Sequence, residues 1–145
     1  MKEKTTEELT HEIKSATDIE DYLYDNQENL INSTLTEHLN SLLSKKGIRK
    51  ADVVRDSQLG RAYVYQIFSG EKTPSRDKLI AIAFGLHLTD KEVQALLKAS
   101  KNRDLYARDE RDAIILFAIQ RSMPIMEAND LLFEHGFQTL GVLKE

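Results

Sequence analysis

A chain of 145 residues, 41 % apolar and 30 % charged, is long enough to bury a core and has the make-up of an ordinary soluble protein. The absence of cysteine excludes disulfides and thiolate metal sites. The longest apolar run, the seven residues from Ala113 to Ile119, is far short of the ~20 that a membrane-spanning helix needs. The net charge of −4 is spread unevenly: residues 1–32 carry −6, residues 33–103 carry +6 and residues 104–145 carry −4.

A basic middle between acidic ends is expected if only the middle meets a polyanion, although charges on solvated helices also scatter this way. The N-terminal MKEKTTEEL has no apolar segment of the kind a leader needs, so a cytoplasmic location is the expectation. Two prolines, six glycines and no low-complexity stretch predict a mostly helical chain with short connections.

Leu9, Ile13 and Ala16 recur at helical spacing behind Thr5 and Glu8, a capping pattern, and a second acidic piece follows around Ile19, Leu23 and Tyr24. Leu35, Leu39, Leu42 and Leu43 form the next stripe. Thr34 and Glu37 open it, Lys45 and Lys46 suit its negative end, and Gly47 stops it. Two short helices are then expected: 50–57, with Val53 and Val54 inward, and 60–69, with Val64, Ile67 and Phe68 inward before Gly70.

Pro74 and Ser75 open an apolar helix carrying Leu79, Ile80, Ile82, Ala83 and Leu86; Thr89 and Glu92 cap another with Val93, Leu96 and Leu97. Helices over roughly 108–121 and 124–135 complete the chain. The run AIILFAI has strand propensity, but it lacks flanking turn residues and a partner strand, so it reads as helix. Such a helix, apolar nearly all round, is expected to be buried, either within the chain or at a subunit contact. The fold class is all-α.

Two short helices joined by about three residues make a helix-turn-helix, whose second helix can enter the major groove of DNA. On a helix over 61–69 the face opposite Val64, Ile67 and Phe68 is centred on Ala62, Gln66 and Ser69. Arg61 and Tyr65 lie on one flank and Tyr63 on the other. Arginine can bridge guanine O6 and N7, glutamine can bridge adenine N6 and N7, and alanine can meet a thymine methyl. Ordinary solvated positions on a surface helix would show the same residue types.

The stretch LTEHLNSLLSKKGIRKADVVRDSQLGRAYVYQIFSGEKTPSRDKLIAIAFGLHLT resembles the lambda-repressor-like, or Xre/Cro, family of bacterial and phage DNA-binding domains over about residues 33 to 100. The resemblance rests on the helix-turn-helix spacing, the FSG after the second short helix and the basic EKTPS loop. It implies a five-helix DNA-binding domain at 33–103, an acidic helical extension at 1–32, and a C-terminal extension at 104–145 that packs on the core or dimerises.

The resemblance further implies that Arg61, Ala62 and Gln66 read bases, these being the first, second and sixth positions of the recognition helix. Lys50, Lys72 and Arg76 fall where the family touches phosphates. Arg49 and Ser69 flank the same surface, with Lys45 and Lys46 nearby. Tyr63 and Tyr65, bulkier than is usual there, either meet sugars and phosphates or pack against the acidic N-terminal segment. Two positions depart from the family pattern: Lys50 stands where glutamine is usual, and Gln58 where glycine is common, so Gln58 must tolerate a left-handed or adjusted backbone.

No enzymatic motif appears. His11, His38, His87 and His135 are far apart with no ligand spacing, no phosphate-binding glycine loop is present, and no cofactor is expected. The expectation is therefore a transcriptional regulator that binds duplex DNA, and pairing of two copies through residues 104–140 is anticipated. The alternative is an antitoxin-like or adaptor module that uses the same fold to bind a partner protein through those residues.

Overall fold

The computed structural model describes residues 4–25 and 34–140. The expected boundary near residue 33 and the C-terminal residues 141–145 lie outside them, as do the side chains of Leu23 and Tyr24. Two compact units divide the chain at Ser33. Every regular element in the described residues is an α-helix, and no strand occurs among them.

In the first unit, α1 (Thr6–Ser15) begins where Thr5 Oγ1 accepts the Glu8 N–H at 3.1 Å, and α2 spans Ile19–Asp25. Lys4 pairs with Glu12 along α1. Ile13 and Ile19 are exposed.

The second unit contains α3 (Leu35–Lys46), α4 (Lys50–Ser57), α5 (Arg61–Ser69), α6 (Arg76–Gly85), α7 (Asp90–Ala99), α8 (Glu110–Gln120) and α9 (Ile125–Glu134). The starts are set by short polar side chains. Thr34 and Thr89 form complete capping boxes with Glu37 and Glu92, and Ser75 and Asp109 accept from Lys78 N–H and Asp112 N–H. Each cap satisfies backbone donors that a helix start leaves open, worth about 1 kcal/mol.

One core links these helices. It runs from Leu39 and Leu42 of α3 through Val53, Val64, Ile67 and Phe68 and on to Ile115, Ile119, Ile125, Leu132 and Leu140. Residues 104–140 thus extend the core that begins at α3. Helix α6 lies at its centre: every residue from Leu79 to Gly85 is buried. The AIILFAI run is helical within α8, but it is not buried all round. Asp112, Ile115, Ala118 and Ile119 face the core, whereas Phe117, on the side turned away from it, is 41 % exposed.

Helix α4 packs on α6 at closest approach beside Gly85. A Cβ there would lie 2.9 Å from the Val53 carbonyl oxygen and 3.1 Å from Ser57 Cβ. Alanine would gain up to about 1 kcal/mol in helix propensity. The obstacle, however, is backbone, which cannot swing aside as a flexible side chain would. Gly85→Ala is therefore expected to lower the unfolding free energy by about 1–3 kcal/mol in denaturant titration.

Helices α3 and α7 are joined by Lys46 Nζ, 2.6 Å from Glu92 Oε1 and 3.2 Å from the His87 carbonyl oxygen that accepts from it. Burial pushes the Glu92 carboxyl up, but the Lys46 and Thr89 hydrogen bonds and the Lys46 charge outweigh it, and the group lies below its ordinary 4.5. A carboxyl depressed on folding stabilises above its unfolded pKa and loses that contribution as pH falls through the folded value. Glu92→Gln keeps the capping acceptor and loses the charge. Wild type should therefore exceed this variant in stability at neutral pH, with the gap closing as pH falls below 4.5; a gap that stays constant through that range would contradict the assignment.

Candidate nucleic-acid interface

The short helices α4 and α5 are joined by residues 58–60. Gln58 adopts the left-handed conformation with φ of 64° and ψ of 19°, one of the two outcomes expected of it, and its side-chain amide donates to the Arg55 carbonyl oxygen at 3.3 Å. Leu59 is buried and its N–H donates to the buried Ser57 hydroxyl at 3.2 Å, which pins the turn to the core. Gly60 then caps α5 with an extended backbone.

Val64, Ile67 and Phe68 bury one side of α5, at 2 % exposure or less. That burial turns Arg61, Ala62, Gln66 and Ser69 outward; Arg61, Ala62 and Ser69 are exposed and Gln66 is half-buried. The end of α5 is held by Asn40, whose side-chain N–H groups reach the Phe68 carbonyl oxygen at 2.9 Å and the Thr36 carbonyl oxygen at 2.8 Å. Gly70 follows with φ of 88°, and a Cβ there would lie 3.1 Å from Thr36 Oγ1, so the chain turns away where a side chain would be both strained and crowded. Lys72 N–H donates back to the Gln66 carbonyl oxygen at 3.2 Å.

Both tyrosines of α5 gather cations. Lys50 Nζ lies 5.4 Å from the Tyr65 ring centroid and the Arg61 guanidinium 5.8 Å, with Arg61 Nη1 donating to Tyr65 Oη at 3.5 Å. Lys72 and Lys78 lie 5.7 and 4.8 Å from the Tyr63 centroid. Such contacts are worth about 0.5–1 kcal/mol at exposed sites, enough to bias long side chains toward one orientation. Positive charge is thereby held on both flanks of the outward row, by rings that the sequence places two residues apart.

The other cations nearby are engaged to different degrees. Arg49 is highly exposed and pairs with Asp52 at 3.4 Å, and its hydrogen bond holds the Asp52 carboxyl below its ordinary range. Arg55 bridges Asp52 and Asp56. Exposed pairs of this kind are worth little and exchange readily for another anion. Lys45 is exposed, 4.0 Å from Glu92, while Lys46 is committed to α7. Ser69 Oγ donates to the Gln66 carbonyl oxygen at 3.1 Å and lies 3.4 Å from Glu71 Oε1.

Arg76 is placed differently from Lys72. Its guanidinium makes a two-pronged contact with Asp112 of α8, at 3.3 and 3.0 Å, and donates to the Arg103 and Asp104 carbonyl oxygens at 2.7 and 3.1 Å. Asp112 is 1 % exposed, takes the Tyr106 N–H at 3.0 Å and has Arg103 Nη2 at 3.8 Å. The neighbouring residues pair in the opposite sense: Arg111 of α8 meets Asp77 of α6 through two 3.0 Å hydrogen bonds. Arg76 therefore ties the start of α6 to the C-terminal helices, and its donors are spent on the chain's own oxygens.

Sequence reasoning missed Asp112. Its signal was a carboxylate three residues ahead of Ile115, on the apolar side of a helix, which implies a buried cationic partner but does not say which. The pairing of Lys78 with Tyr63 was likewise unforeseen. Among the described residues no group of three or more histidine or acidic side chains is placed to hold a metal ion, and no helix is long and apolar enough to cross a membrane. No family model matches the sequence, and neither a curated protein nor a solved structure matches the chain.

Removing one partner of a buried ion pair strands the other. Arg76→Ala is accordingly expected to lower the unfolding free energy by about 3 kcal/mol, whereas Lys72→Ala on the exposed loop should stay within about 0.5 kcal/mol. Denaturant titration of both variants checks the contrast; an unaltered Arg76→Ala protein would contradict the structural role given to this arginine.

Proposed function

We propose that the chain is a duplex-DNA-binding transcriptional regulator in which α4 and α5 act as a helix-turn-helix and α5 enters the major groove. The observation that carries this reading is the outward row Arg61, Ala62, Gln66 and Ser69 on a helix whose opposite side is locked into the core, flanked by cations resting on Tyr65 and Tyr63. A buried backing fixes the row's direction and the flanking charges supply attraction to phosphate, the two requirements for reading bases from a helix. The +6 charge of residues 33–103 and the resemblance to lambda-repressor-like domains support the same reading.

In this arrangement Arg61 and Gln66 read base edges and Ala62 meets a thymine methyl. Lys50, Lys72 and Arg49 attract phosphates, and Tyr63 and Tyr65 hold the cations and offer ring edges to the sugar–phosphate backbone. Arg76 is left out of the phosphate set, because its guanidinium is occupied by Asp112.

The test is titration of the protein into a labelled fragment of the DNA upstream of its own gene, with a scrambled duplex as reference. Binding should be tighter to the native fragment and fall with salt as counterions are released. Arg61→Ala and Gln66→Ala should each cost about 1–3 kcal/mol at the cognate base and relax sequence preference. Lys72→Ala should weaken all duplexes alike and flatten the salt dependence. Equal affinity for native and scrambled duplex would contradict sequence-specific reading.

A further inference from the structure

The side of α8 that turns away from the core meets α9 along an open apolar trough of about 290 Å3, lined by Ala113, Ile114, Phe117, Leu131 and His135. We propose that this trough is a docking site for one basic, amphipathic helix of a partner protein. It shares no residue with α4, α5 or the loop after them, so it stands independently of the DNA-binding reading.

Three observations converge. First, the lining is aliphatic and aromatic with a single polar side chain, His135, at its end; little there would orient a small molecule, which needs a few placed polar groups. A trough between two helices accepts instead the apolar side chains that a third helix presents at i, i+4 and i+7. Second, the surface is exposed where it matters: Phe117 keeps 41 % of its surface in contact with solvent.

Third, the rim is acidic. Helical spacing places Glu110 on the Ala113–Phe117 line of α8, and Glu127 and Glu134 on the Leu131–His135 line of α9. All three are exposed, and none has a cationic partner among the described residues. On this side the facing cation is Arg121, whose guanidinium lies 3.7 Å from the Phe117 ring centroid. A second copy of the chain would offer the same net-acidic rim, whereas lysines and arginines flanking an apolar stripe would complement it. The charge pattern therefore selects a basic helix over self-pairing.

A charge swap in the full chain tests this. The probe is a fluorescent helical peptide of about 15 residues, four turns, with leucine at i, i+4, i+7 and i+11 and lysine on its flanks; a twin carries glutamate in place of lysine. The lysine peptide should bind the wild-type chain and shift the methyl resonances of Ala113, Ile114 and Leu131. In the exposed triple variant Glu110→Lys, Glu127→Lys, Glu134→Lys its affinity should fall by at least about tenfold while that of the glutamate peptide rises. Phe117→Ala should weaken both. Absence of binding would overturn the proposal, as would affinity indifferent to the triple variant or shifts confined to other methyl groups. Concentration-dependent shifts of these same methyls without peptide, with a doubled mass in sedimentation, would assign the trough to a second copy and likewise overturn it.

Discussion

The second unit is organised by one constraint: α6 has no side that faces solvent between Leu79 and Gly85. Other helices must therefore enclose it, and the enclosure decides where everything else points. Helix α4 comes close enough to require glycine at position 85, α7 follows on another side, and α9 on a third. The burial of large apolar side chains such as Leu79, Ile80 and Ile82 contributes about 1.5–3 kcal/mol each. A helix buried this fully also carries its N-terminal arginine to the edge of the core. There Arg76 meets Asp112, and the C-terminal helices are fastened by a charged contact as well as by apolar packing.

Helix α5 takes its orientation from the same centre. Leu59 and Ser57 fix the turn before it, Asn40 and Gly70 fix its end, and Val64, Ile67 and Phe68 fix its rotation. A helix held at both ends and along one side presents its remaining side with little freedom. Recognition of base edges needs that rigidity, because hydrogen bonds formed by preset groups cost less ordering entropy than those formed by mobile ones. The tyrosines extend the principle to long cations, whose heads would otherwise sample many rotamers.

Most of the helical segmentation was legible in the sequence because it depends on local chemistry. Thr34 with Glu37 and Thr89 with Glu92 cap through their own neighbours, and Gly47 and Gly70 stop helices by adopting positive φ. A left-handed or adjusted backbone at Gln58 was expected only through the resemblance, in which glycine is common at that position, and the residue takes the left-handed form. Long-range pairing was not legible. Arg76 and Lys72 look alike in sequence, and only the packing of α8 onto the start of α6 brings a buried carboxylate to one and not the other. Apolar composition likewise could not say which side of α8 would remain open, because Ile114 and Phe117 are as apolar as Ile115 and Ile119.

If α5 is the recognition helix proposed above, duplex DNA meets α5 and its flanking cations and leaves the C-terminal helices untouched, which a single spectrum can test. The measurement is the backbone and side-chain amide spectrum of the isotopically labelled chain during addition of duplex. Shifts are expected for Arg61, Ala62, Gln66 with its side-chain amide, Ser69, Lys50 and Lys72, with Asp112 and the trough residues Ile114 and Leu131 unchanged. Shifts concentrated in α8 and α9, or spread evenly over the second unit with none specific to α5, would contradict it.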